Sequence, residues 1–167
     1  GISRFPEKNR VGGIRMIRAD LLDIEVIRPL FSDCDLVVHA AAVTHSFREK
    51  NYFEINTEAT RKLVDLARAC RVKRFVFISS NTAGRNNGAY SLSKFLAEEY
   101  IRANSENWTI LRLSEVYGTN GREGIEKLIH DIEYKPFIFC PKGVRYPFAP
   151  LHVDDAAEMI FQSIFAI

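Results

Sequence analysis

A chain of 167 residues with 47% hydrophobic and 26% charged residues has the make-up of a single folded globular domain. Its net charge of +2 gives no electrostatic case for nucleic acid or a membrane surface, and no apolar run is long enough to span a bilayer. Cys34, Cys70 and Cys140 are odd in number and lack metal-ligand spacing, so reduced thiols, a cytoplasmic setting and no bound metal are expected.

Taken in order, Gly1-Ile2-Ser3-Arg4 reads as the end of a strand, and Gly12-Gly13 lies in a polar loop. Ile14 to Ile17 is a strand candidate and Ile24 to Phe31 a short helix. Asp35 to His39 is a buried strand that runs out into Ala40-Ala41-Ala42. Small side chains at a strand's carboxyl end let a flat or phosphorylated ligand approach the backbone. Asn51 to Cys70 predicts a long helix, with Ala59, Leu63, Leu66, Ala67 and Cys70 on its inner stripe. Arg74 to Ser80 is a second buried strand and ends in two hydroxyls, at the edge where open α/β sheets bind ligands.

Gly88 precedes a helix from Ala89 to Asn104, whose Leu92, Phe95, Leu96 and Tyr100 are expected to pack on the sheet. Near its start, Tyr90 and Lys94 stand at i and i+4 and share a face. An ammonium close to a phenol lowers its pKa, which suits a general acid or base working on an alcohol or ketone. Trp108 to Leu113 makes the next strand. Turns at Thr119-Asn120-Gly121, a helix from about Glu123 to Ile132 and a proline-spaced segment from Pro136 to Pro150 follow. A last helix opens at Asp154, a candidate N-cap. Alternating strands and helices predict an α/β fold with a parallel sheet.

In this order the motifs resemble the extended short-chain dehydrogenase/reductase family, the NAD(P)-dependent epimerases and dehydratases of sugar nucleotides. The resemblance covers nearly the whole chain. It implies a doubly wound, Rossmann-like sheet, with residues 1–118 as a partial cofactor-binding domain. Residues 119–167 then belong to a substrate-binding region and a returning helix. Tyr90, Lys94 and Ser80 match the catalytic set. Ala19-Asp20-Leu21 matches an acidic turn at the adenine, and Ala40, Ala41 and Ala42 a segment along the pyrophosphate and ribose. Asn56 matches an asparagine that props the active-site strand and counts among the cofactor-site residues with Ser79. Leu113 and Val116 stand in the strand and turn that touch nicotinamide, within Leu111 to Gly118. Leu151 to Ala157 is similar to the signature beside the substrate. Ser80, Asn81, Thr82, Glu115 and Arg145 are the candidate substrate contacts. His39 and His152 read as core hydrogen-bonding residues, since no further ligand stands at metal spacing.

Two departures accompany the resemblance. The family's first strand and its glycine-rich turn have no counterpart, and Gly1 to Arg4 matches the second strand. An incomplete sheet is therefore expected, as is a missing C-terminal portion. The loop from Asn81 to Gly88 is also shorter than is usual, which bears on the substrate. At the end of the second strand stands Arg4 rather than a carboxylate. A guanidinium suits a 2′-phosphate, so NADP is mildly favoured over NAD. The expected activity is hydride transfer with proton handling by Tyr90, Lys94 and Ser80, on a nucleotide sugar or similar substrate, with a homodimer as the partner state. The alternatives are a non-catalytic NAD(P)-binding regulator and a truncated, inactive member.

Overall fold

The computed structural model describes residues 1–6, 10–118, 124–137 and 149–165. The chain opens with four two-residue strands: β1 (Ile2–Ser3), β2 (Arg10–Val11), β3 (Ile14–Arg15) and β4 (Ile17–Arg18). β1 and β4 pair in parallel, while β2 and β3 form an antiparallel hairpin. Gly12 and Gly13 carry φ of 55° and 84°. Two consecutive positive φ angles are what a tight hairpin turn needs, and glycine takes them without steric cost. The single strand expected over Ile14 to Ile17 is therefore two, in different sheets, separated at Met16.

A short helix α1 (Ile24–Ile27) runs into a 3-10 turn over Arg28–Phe31, where Pro29 supplies the fixed φ of a helical first turn. Next comes β5 (Leu36–His39), then α2 (Glu49–Tyr52), a π-helical segment over Phe53–Ala59 and α3 (Thr60–Ala69). These three are one continuous rod with a widened middle. β6 (Arg74–Ser80), α4 (Gly88–Asn104) and β7 (Trp108–Leu113) follow, the two strands with the limits that their apolar runs predict. β8 (Val116–Tyr117), α5 (Gly124–Tyr134), β9 (Leu151–His152) and α6 (Val153–Phe165) complete the described chain. Asp154 therefore lies inside the first turn of α6 and is not its cap.

β5, β6 and β7 form a parallel sheet in that order, and β8 pairs in parallel with β9. Among the described residues no strand joins the β1–β4 pair to the β5–β6–β7 sheet. The core lies under that sheet. Phe75 and Phe77 of β6 meet Leu63, Val64, Leu66 and Ala67 of α3 and Ala97 and Ile101 of α4, with Ile27 and Phe31 closing one end. The stripe expected on the long helix is the buried one, Cys70 being half-buried. The stripe expected on α4 is not. Leu92, Phe95, Leu96 and Tyr100 are only half-buried, whereas Ser91, Ser93, Lys94, Ala97, Glu98 and Ile101 are enclosed. This helix turns a polar face inward because hydrogen-bond partners await it there.

His39 shows how such burial is accommodated. Its Nε2 lies 2.9 Å from Thr60 Oγ1, whose own hydrogen goes to the Asn56 carbonyl at 2.7 Å. The imidazole is therefore the donor, in its Nε2–H tautomer. Burial, aided by the Lys94 ammonium, pushes the His39 pKa down from 6.5 to about 3. Below 6.5 the unfolded chain takes up a proton that the folded chain refuses, so stability falls as pH drops toward 3. The slope reaches roughly 1.4 kcal/mol per pH unit. His39→Gln, which still donates to Thr60, is expected to narrow the gap in urea midpoint between pH 7 and pH 5. An unchanged gap would refute the assignment.

Candidate active site

The carboxyl end of β6 meets the start of α4. Lys94, 2% exposed, donates from Nζ to the Ile78 carbonyl at 2.6 Å, with Nζ 4.1 Å from the centre of the Phe77 ring. Its pKa is pushed down to about 8 by burial, against the pull of the Glu98 carboxylate. Tyr90 lies one turn earlier on α4 and is half-buried. Its ring meets Tyr52 edge-on, with centroids 6.0 Å apart. Burial raises the Tyr90 pKa, the Ser80 hydroxyl opposes the rise, and Tyr52 adds to it. The expected lowering by Lys94 is therefore not what this geometry produces. The ammonium is held on the Ile78 carbonyl, and desolvation outweighs the hydrogen bond.

Ser80 faces this site with its Oγ 3.0 Å from Thr82 Oγ1 and accepting from the Thr82 amide at 3.2 Å. Ser91 donates to Thr82 Oγ1 at 3.0 Å, so the loop after β6 is tied back to α4. Asn81 donates its amide to the Leu113 carbonyl at 2.8 Å and is exposed. Ser79, expected at the cofactor, points its hydroxyl the other way, to Glu98 Oε1 at 2.5 Å. Consecutive residues of a strand face opposite sides, so the two serines cannot both line one crevice with their side chains.

Asn56, 1% exposed, is a brace. Its Oδ1 accepts from the Val43 amide at 2.8 Å. Its Nδ2 donates to the Val43 carbonyl at 3.0 Å and to Ser93 Oγ at 3.1 Å. Both of its amide hydrogens and one acceptor site are engaged inside the protein, and the residue after the alanine segment is thereby clamped to α4.

A cleft of about 280 Å³ opens where β1, β4 and β5 end. It is lined by Arg4, Asp20, Leu21, Ala41 and Ala42, together with Phe5, Val43 and Ile55, which sequence reasoning had not marked. Five of the residues expected at the cofactor thus share one wall. Asp20 Oδ1 accepts from the Leu22 amide at 2.9 Å, fixing the turn. Its Oδ2 stands 3.9 Å from Arg4 Nη1. Ala40 is exposed beside the cleft. The alanines leave the backbone open to a ligand, and the donor set suits the adenosine end of a dinucleotide. Leu113 is buried and pairs with Ser80, while Val116 is exposed on β8. Glu115 is exposed and its carboxylate packs onto Gly124, whose φ of 60° and lack of a Cβ make room for it. Arg145, Cys140 and the turn at Thr119-Asn120-Gly121 lie outside the described residues. Among the described residues no cluster of metal-ligating side chains forms, and no helix is long and apolar enough to cross a membrane.

The family model described as the NAD dependent epimerase/dehydratase family matches residues 1–165. The chain belongs to that family. Family relatives include the mitochondrial NADH dehydrogenase [ubiquinone] 1 alpha subcomplex subunit 9 of Dictyostelium discoideum, 27% identical over 152 residues. That match takes in 90% of this chain and 41% of the relative. A putative UDP-glucose 4-epimerase of Methanocaldococcus jannaschii is 29% identical over 173 residues, 85% of this chain and 56% of its own length. The chain spans about half the length of the curated relatives it matches. Among solved structures, the Bordetella bronchiseptica enzyme WbmH in complex with NAD+ superposes with a TM-score of 0.82 at 19% identity. The superposition covers 100% of this chain and 64% of that one, and it shows the fold: α/β, with an incomplete parallel sheet of the Rossmann type.

Proposed function

We propose that this family member works as an NAD-dependent epimerase, dehydratase or dehydrogenase of a nucleotide sugar or a similar hydroxyl or keto substrate. The observation that carries the reading is the Tyr90 phenol meeting the Ser80 hydroxyl at the end of β6, where Lys94 is anchored on the Ile78 carbonyl, with the cleft of Arg4, Asp20, Ala41 and Ala42 in the same fold. Residues 1–118 hold the dinucleotide, and residues 119–167 contribute to the substrate side. Ala41 and Ala42 admit its phosphates to the backbone, and Asp20 and Leu21 take the adenine end. The bound nicotinamide supplies the hydride acceptor or donor at the substrate carbon.

Tyr90 exchanges a proton with the oxygen on that carbon. Because burial raises its pKa, the phenol is protonated at neutral pH and is ready to donate to a carbonyl oxygen. Ser80 hydrogen-bonds the same oxygen, and its hydroxyl is oriented for this by Thr82. Lys94, one turn after Tyr90 on α4, holds its ammonium desolvated and anchored on the Ile78 carbonyl, two residues before Ser80. NAD is favoured over NADP. Arg4, the side chain that argues for a 2′-phosphate, stands close to Asp20, whose charge repels one. The relatives agree in kind, WbmH being a complex with NAD+ and the Methanocaldococcus jannaschii protein a putative UDP-glucose 4-epimerase.

The test is titration of the whole protein with NADH and NADPH, followed by nicotinamide fluorescence. NADH is expected to bind about tenfold tighter, and Asp20→Asn to narrow that ratio. Equal affinities, or tighter NADPH binding, would reject the choice of cofactor. A second reading, a dinucleotide-binding subunit without turnover, draws on the relative named as an NADH dehydrogenase [ubiquinone] subunit. It predicts cofactor binding that no Tyr90 variant alters and no turnover of any nucleotide sugar.

A further inference from the structure

Glu98 has no part in the motifs, yet it is the most thoroughly bonded side chain of α4. It is 0% exposed and stands at i+4 from Lys94 and i+8 from Tyr90, on the inward face. Arg112 grips it as a fork, Nε to Oε1 at 2.9 Å and Nη2 to Oε2 at 2.6 Å. Arg102 reaches Oε2 at 2.9 Å, and Ser79 reaches Oε1 at 2.5 Å. Ser79 and Arg112 are cross-strand partners of β6 and β7. One carboxylate thus ties the catalytic helix to both strands at the rung just before Ser80.

We propose that Glu98 is a positioning residue of the proton-handling site, holding Lys94 in place as an ammonium against the end of β6. The inference rests on the catalytic reading of Tyr90, Ser80 and Lys94. Lys94 touches Ile78 and Glu98 touches Ser79, so the two side chains pin α4 to adjacent residues of one strand. The charged groups around Glu98 are Arg102 on α4 and Arg112 on β7, with Glu99 of α4 paired to Arg102. His39 on β5, the other titratable group acting on Lys94, is neutral above about pH 3. Two guanidiniums grip the enclosed carboxylate, with Glu99 paired to Arg102 on the outer side, and Glu98 is the anion whose charge favours the Lys94 ammonium against its burial. Glu98 carries its negative charge because the two guanidiniums and the Ser79 hydroxyl outweigh its burial.

The experiment measures NADH affinity of the whole protein at pH 6.5 and pH 9 for four forms: unaltered, Glu98→Gln, Lys94→Met and the double variant. Melting temperatures confirm folding. Glu98→Gln is expected to weaken binding about threefold or more at pH 9 and less than about twofold at pH 6.5, since Lys94 then loses its proton earlier. In the Lys94→Met background it is expected to add nothing at either pH. The same loss with and without Lys94, or the same loss at both pH values, would show a merely structural role and overturn the proposal. Should Glu98→Gln not fold, Glu98→Asp carries the same cycle. It keeps the charge and withdraws it from Ser79, so an NADH loss is expected only where Lys94 is present. No NADH binding by the unaltered protein would overturn the reading of the site itself, and the inference with it.

Discussion

Tyr90→Phe is expected to lower kcat by about 10²–10⁴-fold in the whole protein, while the dissociation constant for NADH changes less than about twofold. The substitution removes one hydroxyl and keeps the ring. The edge contact with Tyr52 survives, and the Lys94 bond to the Ile78 carbonyl does not involve the phenol. What is lost is the proton that a developing alkoxide would draw. Turnover with a panel of nucleotide sugars, beside an NADH titration, separates the two quantities. Wild-type turnover in the variant would exclude Tyr90 as the acid or base and would leave Ser80 as the hydroxyl to examine.

Phe77→Ala is expected to cost about 3–5 kcal/mol of folding stability, the range for emptying a buried aromatic site. Phe77 is wholly enclosed. Its ring packs 5.4 Å from the His39 ring and lies beneath the Lys94 ammonium. Phe77→Leu is expected to recover part of the stability and none of the π face, so Lys94 then sits over an aliphatic floor. Equilibrium urea unfolding with a common slope checks both values. A loss below about 1 kcal/mol for Phe77→Ala would mean that the cavity collapses and that β6 is not the centre of the core.

Much of this architecture could be read from residue order alone. β6 and β7 have the limits expected because an unbroken apolar run bounded by polar residues has few other ways to be buried. The alanines after β5 and the Asp20 turn came together on one cleft wall because parallel strands deliver their carboxyl ends to one edge. Other features were not legible. The inner face of α4 is polar, so an apolar stripe points to Leu92 and Phe95 where Lys94 and Glu98 are the enclosed residues. The signal was nonetheless present, as Tyr90, Lys94 and Glu98 recur every four residues. Sharing a helix face brings two side chains near one another without joining them, and the flexible Lys94 chain reached a carbonyl rather than the phenol. Ser79 illustrates the two-residue period of strands, by which the two adjacent hydroxyls of Ser79-Ser80 face opposite ways.

The widened segment over Phe53–Ala59 has an effect beyond its own length. Neighbouring residues Asn56 and Thr57 both bolt onto Ser93, one through Nδ2 to Oγ and the other through Oγ1 to the carbonyl. The rotational setting of the helix that bears Tyr90 and Lys94 is thus held from a different helix, by two adjacent residues of the widened segment. Trimming a residue from that segment is expected to swing one bolt away and to re-aim Tyr90 and Lys94, the proposed proton-handling groups, without altering either side chain.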